Sequence, residues 1–188
     1  MYSGLAASYD GMAWWRVLPA GEQLIRLGPK GAFDSHMTYL SVAPIVDDGG
    51  VMRVYYSGAN GPHGSASNYT VRRTCLGMAS ARIDRLAGLW STPQDRHTPV
   101  EITTRAINCT GPVLRVSADA ASGFVQVGLH NGPPGLGLDS SFALAGNLVD
   151  EPVRFAHGAD LSAFVGKSVQ IKLRFASTVV YSFSFSHA

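Results

Sequence analysis

The chain is 188 residues long, 46% hydrophobic and 15% charged, with a formal net charge of +2. That balance supplies enough apolar material for a packed core and excludes an extended disordered chain. So small a charge with dispersed arginines excludes a nucleic-acid surface, and no apolar stretch approaches the roughly 20 residues of a membrane span.

Twenty-one glycines and ten prolines among short apolar runs point to an all-β chain with many turns. The N-terminal run Tyr2-Ser3-Gly4-Leu5-Ala6-Ala7 lacks a basic start and a long apolar stretch, so no signal peptide is expected in it. Ala13–Leu18 is the first strand candidate. Alternation along it lets one of Trp14 and Trp15 face inward, leaving the other on the surface to cover a sugar ring or nothing. Arg16 follows them. A glycine-rich bend, Gly28 to His36, then brings Asp34 and His36 together.

Thr38–Val46, Val51–Ser57 and Cys75–Arg82 are the next strands. Asp47-Asp48-Gly49-Gly50 is a hairpin turn, because Asp and Gly tolerate positive φ. Gly58–Thr70 is a polar surface loop holding His63. Asn68-Tyr69-Thr70 and Asn108-Cys109-Thr110 fit the glycosylation pattern, which would imply an extracellular or secretory setting; such triplets also arise by chance. Cys75 and Cys109 are too few for a disulfide scaffold, and two buried thiols are favoured over one bridge.

Beyond a joint near residues 105 to 112 the alternation is cleaner. Leu114, Val116 and Ala118 share a face, as do Val125, Val127 and Leu129. Val169, Ile171, Leu173 and Phe175 form a third set, and Val179, Tyr181, Phe183 and Phe185 a fourth. A period of two with one apolar face predicts antiparallel sheets packed face to face. Asp160 is placed to cap a helical turn over 161–165 that Gly166 ends. The domains expected are 1–106 and 107–188.

Gly28 to His36, with Val54-Tyr55-Tyr56-Ser57-Gly58 and His63 after it, resembles part of a five-bladed propeller of the glycoside hydrolase family 32 and 43 group. Gly77 to Leu86 is similar to that group's passage out of its propeller. Leu114 to Gly123 with Val125 resembles the opening hairpin of its C-terminal sandwich, and Val180 to Phe185 its closing strand. The resemblance implies a partial β-propeller blade over 1–106 and a jelly-roll-like antiparallel β-sandwich over 107–188. It implies a carbohydrate partner held by Asp34, His36, Tyr56, His63, Trp15 and Arg16, with no metal or other cofactor. Against this stands the plainer reading in which Asp34 caps a turn and the histidines are solvated.

Five blades do not fit in this length, and the group's Asn-Asp-Pro, Arg-Asp-Pro and Glu-Cys motifs are absent. Retaining hydrolysis needs two carboxyl groups about 5 Å apart, and Glu22, Glu101 and Glu151 stand in no matching motif. The chain therefore reads as the C-terminal part of such a protein, binding sugar without a full catalytic set. The rival reading is a structural interaction module that joins a second copy, or a missing propeller part, through exposed sheet edges. Other chemistries find little support. The histidines lack zinc-ligand spacing, and Gly132 to Gly137 lacks the Lys-Ser/Thr ending of a phosphate loop. No Gly-x-Ser-x-Gly elbow occurs, and Asp119 with Asp139 is too sparse for calcium.

Overall fold

The computed structural model describes residues 2–41, 43–47, 49–63, 72–82, 84–91 and 98–187. The chain is all-β, 47% strand and 5% helical, and divides into two compact units, Met1–Ile83 and Asp84–Ala188.

In the first unit, β1 (Ala6–Ala7) pairs antiparallel with β2 (Trp15–Arg16). Asp10 Oδ1 closes the connection by accepting from the amides of Met12 and Ala13 at 2.8 and 2.9 Å. Those bonds, the Ala13 amide first, hold its carboxyl below the usual range. Neither tryptophan enters a core: Trp14 is 64% and Trp15 41% exposed. Two residues of strand give no sheet face to bury a ring against, so Trp15 packs on the Tyr9 ring instead, with centroids 4.6 Å apart.

The main sheet of this unit is built from β3 (Met37–Leu40), β4 (Ile45–Val46), β5 (Val51–Ala59) and β6 (Thr74–Arg82). β6 pairs with β5 along its whole length, so β3 and β4 share the opposite edge of β5. The single strand expected over 38–46 is thus interrupted. Pro44, which has no N–H to give to a ladder, sits in the gap. Ser41 N still donates to Tyr55 O at 2.8 Å and keeps the two pieces on one edge. The turn into β5 forms as expected: Asp47 Oδ1 accepts from Gly49 and Val51 amides, Arg53 binds Oδ2 at 2.6 Å, and Gly50 takes φ +70°. Asp48 lies outside the described residues, as do 64–70 of the expected loop and with them Asn68. Gly58 and Ala59 belong to β5 rather than to that loop.

The second unit carries β7 (Leu89–Trp90), β8 (Val100–Thr103), β9 (Ile107–Asn108), β10 (Val113–Leu129), β11 (Leu144–Pro152), β12 (Ser168–Val169), β13 (Ile171–Ala176) and β14 (Val179–Ser186). It begins at Asp84 rather than at 107, because β7 hydrogen-bonds to β14 and β8 to β13. Six of these strands form one curled, half-barrel sheet among the described residues. Its axis is β10. One edge of β10 carries β11. Along the other, β13 and β14 run as one long antiparallel partner, from Leu129↔Ile171 to Val113↔Ser186.

β10 is a single strand of 17 residues, so the hairpin expected around Gly123 does not form. Gly123 marks a break in register. On the side of β13 and β14, residues 120–123 face only Ser177 and Thr178, and the pairing shifts by two positions across them. Any Cβ at Gly123 would run into the Ala176 carbonyl oxygen, so the close approach of the two backbones requires glycine there. The shift also changes the phase of the buried face. Even positions Leu114 to Ala120 point into the core before it, and odd positions Val125 to Leu129 after it.

A second bulge, at Tyr181, corrects the alternation expected for β14. Ser117 pairs with Ser182 and Ala118 with Val180, which leaves Tyr181 out of the ladder. Val180 replaces Val179 in the core at 5% exposure, and Phe183 and Phe185 pack against it half-buried. Phe175, Leu173 and Ile171 are the fully enclosed members on β13. The short turn at Asp160 forms as Ser162–Phe164, its start fixed by Ser162 N donating to Asp160 Oδ1 at 2.9 Å and its end by Gly166 at φ +80°. Cys109 is buried and Cys75 exposed on β6, both as free thiols, so burial holds for one of the expected pair. No described helix is long and apolar enough to cross a membrane.

Candidate functional site

The structure joins two of the residues singled out in the sequence. Tyr56 Oη donates to Asp34 Oδ2 at 2.8 Å, and the Phe33 ring stacks on Tyr56 with centroids 6.0 Å apart. Burial raises the Tyr56 phenol above its usual pKa first, and the bond to the Asp34 carboxylate and its negative charge raise it further. Three glycines make room. A Cβ at Gly28 would strike Asp34 Oδ1, one at Gly58 would lie 2.5 Å from Asp34 Cβ, and one at Gly77 would strike the Tyr56 ring. Asp34 and Tyr56 are left only 8% and 9% exposed. A carboxylate so enclosed and already bonded to a phenol fastens the Gly28–His36 bend to β5.

The other expected residues do not gather round it. His36 is exposed, with Nδ1 3.1 Å from the Ser35 hydroxyl. His63 is exposed beside the Tyr39 ring at 6.4 Å. Tyr39 and Leu40 alternate in β3, and Leu40 is the residue opposite Tyr56, so His63 accompanies the other face of the sheet. Trp15 and Arg16 are exposed on β2.

A different site lies at the break in the long ladder of the second unit. Trp90 pairs with Val179, and Val179 with Asp119, placing three side chains in one row across β7, β14 and β10. Ser122 comes from the bulged stretch of β10, and Ser177 and Thr178 from the link between β13 and β14. Together with Ser91 they line an open pocket of ≈ 270 Å³. That is just under the roughly 300 Å³ at which drug-sized ligand sites begin, so it suits one small ring.

The break also fixes the pocket's polar groups. Ser177 takes φ +48° and its amide donates to Ser91 Oγ at 3.1 Å. The Thr178 hydroxyl lies 3.0 Å from Phe124 O and 2.9 Å from Ala176 O, the two residues that form the last rung between β10 and β13. Asp119 Oδ1 accepts from the Ala121 amide at 3.3 Å. Thr178 and Ser91 are buried, whereas Trp90 is 61% exposed and presents its indole at the rim. The sequence holds the signal for this place: apolar alternation lapses at Ala121-Ser122-Gly123 and again at Ser177-Thr178. Only the pairing of β10 with the last two strands shows that the two lapses face each other.

Elsewhere in the second unit, Glu101 and Asp150 are engaged in structural pairs. Glu101 binds Lys172 and Arg174, each at 2.6 Å, which holds its carboxyl below the usual range, Lys172 being the larger cause. Asp150 meets Arg115 at 3.7 Å and accepts from Ser184. Among the described residues no three His, Cys, Asp or Glu side chains are grouped to hold a metal ion. Comparison with protein-family models, with curated proteins and with solved structures gives no match.

Proposed function

We propose that this chain binds carbohydrate without cleaving it, as an accessory portion of a protein like the family 32 and 43 glycoside hydrolases. In this reading the antiparallel sheet of the first unit is a partial propeller blade, and the curled sheet of the second belongs to a jelly-roll-like sandwich. The observation that carries it is the pocket of Trp90, Asp119 and four hydroxyl side chains. An indole face covers the apolar side of a sugar ring, a carboxylate takes short charge-assisted bonds from its hydroxyls, and serines serve the rest. The reading moves the site away from Asp34, whose carboxylate is enclosed. Titration with a panel of methyl glycosides tests it. Trp90→Ala lowers affinity about tenfold, the scale of one ring-stacking contact, leaves the thermal midpoint unchanged, and no sugar is released from glycosides at any stage. Turnover, or equal affinity in the variant, would overturn it.

β6 favours a second reading, in which the first unit pairs with another copy of itself. Among the described residues β6 hydrogen-bonds only to β5, and Thr74–Ala81 contains no charge to blunt its outer edge. Leu76 and Met78 stand 80% and 52% exposed, with Tyr55 and Tyr39 on the same face. An antiparallel self-pairing centred on Met78 would set Leu76 opposite Ser80 and Cys75 opposite Ala81, with no like charges opposed. Light scattering during size-exclusion chromatography then shows a concentration-dependent dimer that Met78→Lys converts to monomer. A wild-type chain that stays monomeric throughout removes this reading.

A further inference from the structure

We infer that the Trp90 pocket selects sugars bearing a protonated amine over neutral and acidic ones, an inference that rests on the carbohydrate reading of the same pocket. Of its described lining residues, Asp119 alone is charged; the others are Trp90, Ser91, Ser122, Ser177, Thr178 and Val179. Among the described lining residues an acidic sugar entering there meets a carboxylate and no cation, and like charges repel. An ammonium meets two attractive groups. The carboxylate gives it charge-assisted hydrogen bonds, and the negative face of an indole attracts a cation within about 6 Å of its centroid.

The register gives these groups a suitable separation. Trp90 and Asp119 stand one strand apart on either side of Val179, so their backbones lie roughly 10 Å from each other, two strand spacings. Both side chains line the same pocket. Val179 adds an apolar side chain to the lining, and Ser122 and Ser177 add hydroxyls. Asp119 is exposed, so the attraction is screened by water and salt rather than magnified by burial.

The experiment is titration of the full chain with the methyl glycosides of glucosamine, glucose, N-acetylglucosamine and glucuronate, at low and at high salt. Methyl glucosaminide at pH 6 binds about tenfold tighter than the glucose compound, the combined scale of an exposed ion pair and a cation–π contact. The advantage shrinks in high salt and disappears on acetylation of the amine. Asp119→Asn keeps the shape and removes the charge, so it cuts the preference to the few-fold that the indole alone supplies, while thermal melts show an unchanged fold. Equal affinities for the amine and neutral sugars, both lost in Trp90→Ala, would overturn the inference and leave the carbohydrate reading standing. Tighter binding of glucuronate would overturn it too. Failure to bind any of the four would remove the carbohydrate reading and this inference with it.

Discussion

Phe175→Ala lowers the stability of the Asp84–Ala188 unit by about 3–5 kcal/mol, the range for a large aromatic removed from a closed core. Phe175 is 1% exposed, on the strand held between β10 and β8, and pairs with Val125 on one side and Val100 on the other. Ladders on both edges hold the backbone of β13, so the neighbours cannot collapse into the space left by the ring. The void then adds its own cost to the lost transfer energy. Phe183→Ala is the control. Its ring is half-buried, packed edge-on to Phe185 with centroids 6.5 Å apart, and its removal exposes groups to water instead of enclosing a void. It should cost less than Phe175→Ala, and Tyr181→Ala less again, because Tyr181 stands outside the ladder with Arg85 over its ring. Urea unfolding of the three variants orders them. Equal losses at 175 and 183, or a loss below about 1 kcal/mol at 175, would contradict the enclosed position of Phe175.

The same comparison shows how far the sequence could be read. Period-two alternation identifies the inward side of Leu114–Ala118, Val125–Leu129 and Ile171–Phe175, because burial on one face leaves that record residue by residue. It does not record which strand pairs with which. The bulges at 120–123 and at Tyr181 each change the phase, and a change of phase looks in sequence like a turn or the end of a strand. The hairpin implied by the family resemblance falls where β10 runs through without a turn. The candidate site suffered for the same reason. Asp34, His36, Tyr56 and His63 are near neighbours in the chain with suggestive chemistry, but alternation puts Tyr39, with His63, on the opposite face from Tyr56. Trp90, Asp119 and Thr178 are far apart in sequence and meet only through the pairing of β7, β14 and β10.

Tyr56→Phe destabilises the Met1–Ile83 unit by about 1–3 kcal/mol, the cost of leaving a buried partner unsatisfied. The ring is retained, so its packing on Phe33 and beneath Gly77 is kept; only the hydroxyl bonded to Asp34 Oδ2 is lost. What remains is a carboxylate at 8% exposure without that donor. Asp34→Asn should cost less, because its amide oxygen still accepts from Tyr56. The pH dependence separates this bond from simple packing. Burial, and then the Asp34 carboxylate, raise the native phenol above its ordinary value near 10. A native pKa above the unfolded one means the bond's contribution is full below pH 10 and is lost as pH climbs from there through the raised native value. Wild type therefore loses stability above pH 10 faster than Tyr56→Phe, which has no such proton to release, and the gap between them narrows. Urea midpoints of the first unit, measured for both chains from pH 8 to 11, read that gap directly. A gap that stays constant across the range would show that the Tyr56 proton takes no part in holding Asp34. The bend from Gly28 to His36 would then be fastened to β5 by the stacking of Phe33 and the three glycine contacts alone.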